Sequence, residues 1–168
     1  MSLTSLEKNL KNHTVFVAND HAGVDLKNNI MSHLKEMGIT VLNLGTNVDQ
    51  SVDYPDFAHK MALEMQTHLK NNPQEKVFGI LICGTGIGMS IAANRHPWIR
   101  AVVAESPTKI GLEKLELARR HNNANVLCLG ARFLEASEPD ILVNTFLGTA
   151  FDGDQAGGER HKNRVEKI

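Results

Sequence analysis

The sequence has 168 residues and a formal net charge of −1, with 42% hydrophobic and 22% charged residues. These values are typical of one globular domain with its own core, and they lack the excess of basic residues expected of a nucleic-acid-binding protein. The two cysteines, Cys83 and Cys128, are too few for a disulfide scaffold. The polar segment 1–13 has no signal-peptide core, and no apolar run reaches the roughly 20 residues of a membrane span. We therefore expect a cytoplasmic protein with an N-terminal extension at 1–13.

Short apolar runs alternate with segments of helical periodicity along the chain. The apolar runs predict five strands, at 15–18, 39–44, 77–83, 99–104 and 126–129. The spacing of apolar residues predicts helices at 26–37, 55–69, 89–95, from Ser106-Pro107 towards His121, and at 134–147. Continuously apolar strands that alternate with helices are typical of a parallel sheet covered on both faces. We predict a single α/β domain, a three-layer αβα Rossmann-like fold with a five-stranded parallel sheet.

Polar residues follow several of the predicted strands. In a sheet of this kind, ligands bind beyond the carboxyl ends of the strands. The residues directly after a predicted strand are Asp20, His21, Gly45, 83–88, Glu105 and 130–132. A carboxylate beside an imidazole, as in Asp20-His21, suits binding of a polar substrate or proton transfer. Asp20 alone is equally typical of a helix N-cap.

The strongest local signal is the segment Cys83-Gly84-Thr85-Gly86-Ile87-Gly88. Alternate glycines after a buried strand let backbone N–H groups converge, which predicts a site for a phosphate or an oxyanion. Met89 stands where the dinucleotide fingerprint needs glycine and where a cysteine phosphatase needs arginine, and the lysine of a nucleoside triphosphatase loop is missing. Cys83 is therefore a candidate nucleophile or general base, although a free cysteine is often only a small buried hydrophobe.

Other polar residues give weaker signals. His121 and Asn122 end a predicted helix just before a buried strand, where they can reach a site or simply complete the helix. Arg132, Arg160 and Arg164 carry the guanidinium fork that suits phosphate, although most arginines are solvated surface charges. Arg160 and Arg164 share one face if the tail is helical. The histidines for which the sequence offers no partner are predicted at the surface: His13, His33, His59, His68 and His96.

In their order along the chain these motifs resemble the ribose 5-phosphate isomerase B family, which includes the galactose 6-phosphate isomerase subunits. The matching segments are 19–23, 53–55, 79–94, 99–103, 120–122, 125–127 and 157–164. The resemblance covers residues 15–168 and implies an aldose–ketose isomerase of a small sugar phosphate, with no metal or organic cofactor. It also implies a homodimer or dimer of dimers with active sites at the interface, and partners that include neither nucleic acid nor membrane.

The resemblance implies a role for each candidate residue. Cys83 corresponds to the base that moves a proton between C1 and C2, His121 to the group that opens the sugar ring, and Thr85 to an assisting hydroxyl. The substrate-binding positions are Asp20 and Asn122 for sugar hydroxyls, the backbone of Gly84, Thr85, Gly86, Ile87 and Gly88 for the enediolate, and His21, Arg132, Arg160 and Arg164 for the phosphate. The basic tail, 151–168, is thus expected to help bind phosphate.

Several activities remain open at this point. The favoured one interconverts D-ribose 5-phosphate and D-ribulose 5-phosphate, as in the pentose phosphate pathway. The alternatives are isomerisation of allose or galactose 6-phosphate, a phosphate-binding module in which Cys83 is dispensable, and a cysteine-dependent hydrolase. The stretch 105–120 is longer than usual in the family, and we expect it to form an extended loop and helix.

Overall fold

The structure is a computed structural model that describes residues 13–168. The predicted N-terminal extension lies outside the described residues except for His13, which instead begins the first strand and is buried. The strands are β1 His13–Asn19, β2 Thr40–Asn43, β3 Lys76–Cys83, β4 Ala101–Val103 and β5 Val126–Gly130. The α-helices are α1 Val24–Glu36, α2 Tyr54–Asn71, α3 Ile87–Ala93, α4 Lys109–Asn122, α5 Glu138–Gly148 and α6 Glu159–Val165.

The five strands form one parallel sheet in the order β2-β1-β3-β5-β4. Asn19 pairs with Ile82, and Cys83 pairs with Gly130. Because the strands are parallel, the carboxyl ends of β1, β3 and β5 lie side by side at one edge of the sheet. The chain order reverses between β1 and β3, where sheets of this type bind ligands. The predicted parallel α/β fold is confirmed.

The sheet separates two hydrophobic clusters. On β3, Ile80 and Ile82 belong to the cluster on one face, and Leu81 and Cys83 belong to the cluster on the other. Burying one such aliphatic side chain contributes about 1.5–3 kcal/mol, so the two clusters dominate the stability of the domain. Within residues 13–168, no helix has both the length and the apolar character needed to cross a membrane.

Two helices begin later than predicted. The tail also forms a helix, which was the condition for Arg160 and Arg164 to share one face. Helix α4 begins at Lys109 because Thr108 is its N-cap, accepting a hydrogen bond from Gly111 N at 3.1 Å. Helix α5 begins at Glu138 instead of residue 134, because proline fits the first turn of a helix and Pro139 occupies it. Helix α6 places Arg160 and Arg164 four residues apart on one face.

The predicted surface position is wrong only for His13, because the other four histidines are partly exposed. His13 is buried and stacks on Phe78. The other four form hydrogen bonds: His33 with Asn144, His68 with Glu75, and His59 with His96. Apart from His68 and Glu75, these partners are far apart in sequence, so residue spacing could not reveal them.

Candidate active site

Cys83 is the last residue of β3 and is 4% exposed. The N–H of Gly86 points back at it and donates to Sγ at 3.2 Å. The hydrogen bond therefore aims a backbone donor directly at the sulfur. Helix α3 begins at the next residue, Ile87, and the N–H groups of its first turn have no acceptor within the helix. The arrangement therefore pairs a potential base with a group of backbone donors.

Thr85 lies exposed at the tip of the glycine loop. Its Oγ1 accepts a hydrogen bond from Ile87 N at 3.2 Å. Because this bond uses the oxygen as an acceptor, the hydroxyl hydrogen is left to donate to a substrate oxygen. The loop thus presents a side-chain donor beside its backbone donors.

Asp20 and His21 follow β1 at the same edge of the sheet. The backbone N–H of Asp20 donates to Ile82 O at 3.0 Å, which ties it to the strand that carries Cys83. Asp20 Oδ1 accepts from Ala22 N at 2.9 Å, so this residue is indeed a helix N-cap. His21 Nδ1 accepts from Val52 N at 3.2 Å. In the neutral imidazole the proton is then on Nε2, which can donate to an anion.

Arg132 and Tyr54 complete this cluster. Arg132 N donates to Gly84 O at 3.2 Å, and its guanidinium packs so closely on Gly84 that an added Cβ would lie 3.2 Å from Cζ. The ring of Tyr54 covers Gly88, where an added Cβ would lie 2.6 Å from the ring. Sequence reasoning did not assign Tyr54 to the site, although its segment was among those that resemble the family.

The remaining candidates lie at the opposite edge of the sheet. His121 and Asn122 end α4, which runs against the strand direction, and β5 begins only after them, at Val126. From Val126 to Gly130, the partner of Cys83, the strand rises about 13 Å. His121 therefore does not reach the Cys83 of its own chain.

His121 belongs to a second polar cluster built with α6 and the tail. Its ring stacks on His161 with 4.1 Å between centroids and 11° between planes. Asp152 Oδ2 lies 3.9 Å from His121 Nε2 and 3.0 Å from Arg120 Nη2. Arg160 Nε donates to His161 Nε2 at 3.1 Å. A pocket of about 290 Å³ opens between these side chains.

The electrostatics of this second cluster favour an anion. Burial lowers the pKa of His161, and the positive charges of His121, Arg160 and Arg164 lower it further. The Asp152 carboxylate opposes this shift, but the two arginines outnumber it, and their excess positive charge suits a phosphate.

Three of these groups also come within the spacing of metal ligands. His121, Asp152 and His161 each offer an atom within 4.8 Å of the others, a proximity that the sequence did not reveal. The two rings are nearly parallel, so their nitrogen lone pairs run side by side and do not converge on one point. Arg120 already holds the Asp152 carboxylate. The cluster therefore fits an anion better than a metal ion.

Residues 15–168 match the family model described as Ribose/Galactose Isomerase. Among its relatives, the probable ribose-5-phosphate isomerase B of Mycoplasma pneumoniae is 42% identical over 94% of this chain and 93% of its own. The ribose-5-phosphate isomerase B of Escherichia coli is 40% identical over 89% of each chain. A structure of ribose-5-phosphate isomerase B from Mycoplasma genitalium with bound ribulose-5-phosphate has a TM-score of 0.78 and 41% identity, covering 93% of both chains.

Proposed function

Because this chain belongs to the ribose/galactose isomerase family, we propose that it interconverts D-ribose 5-phosphate and D-ribulose 5-phosphate through an enediolate. The observation that carries the proposal is the position of Cys83 at the end of β3, with Gly86 N on its sulfur and the donors of the glycine loop beside it. The relatives named ribose-5-phosphate isomerase B, one of them with bound ribulose-5-phosphate, support the choice of substrate.

In the proposed reaction, the Cys83 thiolate removes the proton from C2 of the open-chain aldose. The electron pair moves into the C1 carbonyl, and the enediolate oxygens accept hydrogen bonds from the glycine loop and the Thr85 hydroxyl. A proton passes from the C2 hydroxyl to the oxygen on C1, and the thiol returns its own proton to C1, which leaves the carbonyl at C2 and gives the ketose. A positioned base contributes about 10²–10⁴-fold to the rate, and an oxyanion donor about 10²–10³-fold. These steps need neither a metal nor an organic cofactor.

The two clusters supply the proposed contacts with the phosphate and hydroxyl groups of the substrate. At the Cys83 edge, His21 Nε2–H and the Arg132 guanidinium are proposed to hold phosphate, and Asp20 to accept a hydrogen bond from a sugar hydroxyl. At the opposite edge, His121 is proposed to open the ring and Asn122 to bind a hydroxyl. Arg160 and Arg164, in the tail, add phosphate contacts.

We further propose that the two clusters meet across a homodimer, or within a dimer of dimers. The support is their placement at opposite edges of one chain, so that His121 can serve only the Cys83 of a neighbouring chain. An exposed apolar surface adjoins the glycine loop: Ile87 is 55% and Ile91 63% exposed, one turn apart on α3. Apolar surface of this kind marks interfaces.

Both cysteines are free thiols, which supports a reducing compartment and hence a cytoplasmic location. They differ in chemistry. Burial raises the pKa of Cys128, and the proximity of Cys83 raises it further, so Cys128 stays a thiol. Only Cys83 ends its strand at the ligand-binding edge, and it alone is proposed as the base.

The test is isomerisation of D-ribose 5-phosphate by the wild type, by Cys83→Ala and by the control Cys128→Ala, with D-allose 6-phosphate as a second substrate. We expect Cys83→Ala to lose about 10³-fold or more in kcat and Cys128→Ala to remain active. Full activity of Cys83→Ala would contradict the assigned base. Preferential turnover of allose 6-phosphate would indicate a six-carbon substrate. Absence of turnover by the folded wild type would favour the phosphate-binding module, and release of inorganic phosphate the hydrolase.

A further inference from the structure

Arg119 is a buried arginine two residues before His121 on α4. It is 5% exposed, and among residues 13–168 none of its hydrogen-bond acceptors is a carboxylate. Its Nε donates to Thr149 O at 3.2 Å, and its Nη1 donates to Asn123 Oδ1 at 3.2 Å and to the carbonyl of Ala124. The guanidinium thus holds the turn that follows α4 through hydrogen bonds and links this turn to the end of α5.

The surroundings of Arg119 are aromatic. The guanidinium lies over the ring of Phe78 on β3, 4.8 Å from its centroid, and 5.4 Å from that of Phe146 on α5. Burial, followed by the positive charge of Arg100, lowers the pKa of Arg119 to about 10, so it remains charged at neutral pH. Apolar side chains can fill such a volume without the desolvation that a buried charge suffers. The hydrogen bonds of the guanidinium, which an apolar side chain could not make, therefore indicate a role beyond filling space.

A second arginine holds the same turn. Arg100 Nε donates to Asn123 O at 2.8 Å, and Arg100 N donates to Asn125 Oδ1 at 2.8 Å. Asn123 itself is left-handed, with φ 49°. Two guanidinium groups thus anchor a turn that begins directly after His121 and Asn122.

The imidazole of His121 depends on this anchoring. Asp152 Oδ2 is 3.9 Å from Nε2, beyond hydrogen-bonding distance, and the ring stacks on His161, a contact that does not fix its orientation through a hydrogen bond. Helix ends fray unless they are held. The direction in which His121 points is therefore set chiefly by the backbone that Arg119 and Arg100 immobilise.

We propose that Arg119, supported by Arg100, is a positioning residue for ring opening, holding the end of α4 so that His121 meets the ring oxygen of the substrate. The inference rests on the proposed function, in which His121 opens the ring before Cys83 acts. Misplacement of a catalytic group by 1 Å can lower a rate by about 10²-fold. Loss of the anchor should therefore slow ring opening and leave proton transfer at Cys83 intact.

The two steps can be measured separately. Ribose 5-phosphate is mostly a closed ring, whereas ribulose 5-phosphate has its C5 hydroxyl blocked by phosphate and has no stable ring to open. We expect Arg119→Lys, which keeps the charge and loses the fork, to lower kcat for ribose 5-phosphate by about 10–100-fold. Exchange of the C1 proton of ribulose 5-phosphate in deuterium oxide, which needs Cys83 and not His121, should stay within about twofold of the wild type.

Leu115→Val is the matched control, because it alters a buried residue of the same helix without touching the turn. It should leave both rates unchanged at temperatures where it is folded. Equal loss of both rates in Arg119→Lys, or no loss, would overturn the proposal. If Arg119→Lys does not fold, Arg100→Lys should show a smaller loss of kcat for ribose 5-phosphate and no loss of proton exchange. Absence of this selective loss would overturn the proposal. A wild type that does not isomerise ribose 5-phosphate would refute the proposed function itself, and this inference with it.

Discussion

Gly86 illustrates how a single residue shapes the site. Its φ of +75° is a conformation that residues with a Cβ rarely adopt, and an added Cβ would lie 3.1 Å from the carbonyl carbon of Leu129 on the neighbouring strand. In this conformation its N–H reaches Cys83 Sγ. Backbone freedom and close approach to β5 are thus both needed to place the donor on the sulfur.

Replacing Gly86 tests this account. Gly38 has the same φ of +75° and lies just beyond the end of α1, but an added Cβ there meets nothing within 4 Å among the described residues. We expect Gly38→Ala to lower the free energy of unfolding by about 1 kcal/mol. Gly86→Ala should lower it by more, because β5 must also shift to make room for the added Cβ. Urea denaturation measures both, and isomerase activity should fall only in Gly86→Ala. Equal decreases in the two variants would show that the contact with β5 does not contribute to the difference in stability.

At the scale of elements, a histidine pair joins α2 to the segment after α3. His59 Nδ1 and His96 Nε2 are 2.8 Å apart, and His96 packs on Trp98, whose Nε1 donates to Ala62 O at 2.9 Å. Burial lowers the pKa of His96, and the charge of His59 lowers it further. Protonation of His96 therefore weakens the contact between these elements.

This contact makes stability depend on pH. Because the pKa of His96 is lower in the folded state, the unfolded state binds more protons below about pH 6.5, and the stability present above that pH is lost on acidification. Thermal unfolding should show a Tm that falls between about pH 7.5 and about pH 5.5, with a smaller fall in His96→Gln. Arg95→Gln, which removes an exposed charge next to the pair, should keep the wild-type fall. A Tm that falls as much in His96→Gln as in the wild type would contradict the assignment of this pH dependence to His96.

At the scale of the whole molecule, the two halves of the proposed site lie at opposite edges of the sheet. Cys83 ends β3, whereas His121 precedes the start of β5, which runs parallel to β3. No rotation of side chains closes a gap of about 13 Å along a strand. The proposal that the two clusters form one site therefore requires a second chain.

Mixing two inactive variants tests that requirement. Cys83→Ala and His121→Ala should each be inactive on ribose 5-phosphate, but their mixed dimers contain one site with both residues intact. After unfolding and refolding together at equal amounts, about a quarter of the wild-type activity should return. Each variant refolded alone is the control. No recovery, with mixed dimers demonstrated by a tag on one chain, would mean that the site does not cross the interface.

The sequence by itself determined the alternation of strands and helices, the parallel sheet and the glycine loop after β3. These features depend on local periodicity, on the position of glycines and on the polar residues that follow each strand, all of which are readable along the chain. Cys83, Asp20 and His21 could be grouped in advance because the carboxyl ends of parallel strands share one edge.

The tertiary structure decided which side chains meet. The pairing of His59 with His96, the burial of Arg119 against Phe78 and Phe146, and the contact of Tyr54 with Gly88 join residues far apart in sequence. Their proximity depends on how helices pack on the sheet, which hydrophobic spacing does not specify. The separation of His121 from Cys83 has the same origin, because a helix that returns antiparallel to its strands carries its last residues to the far edge.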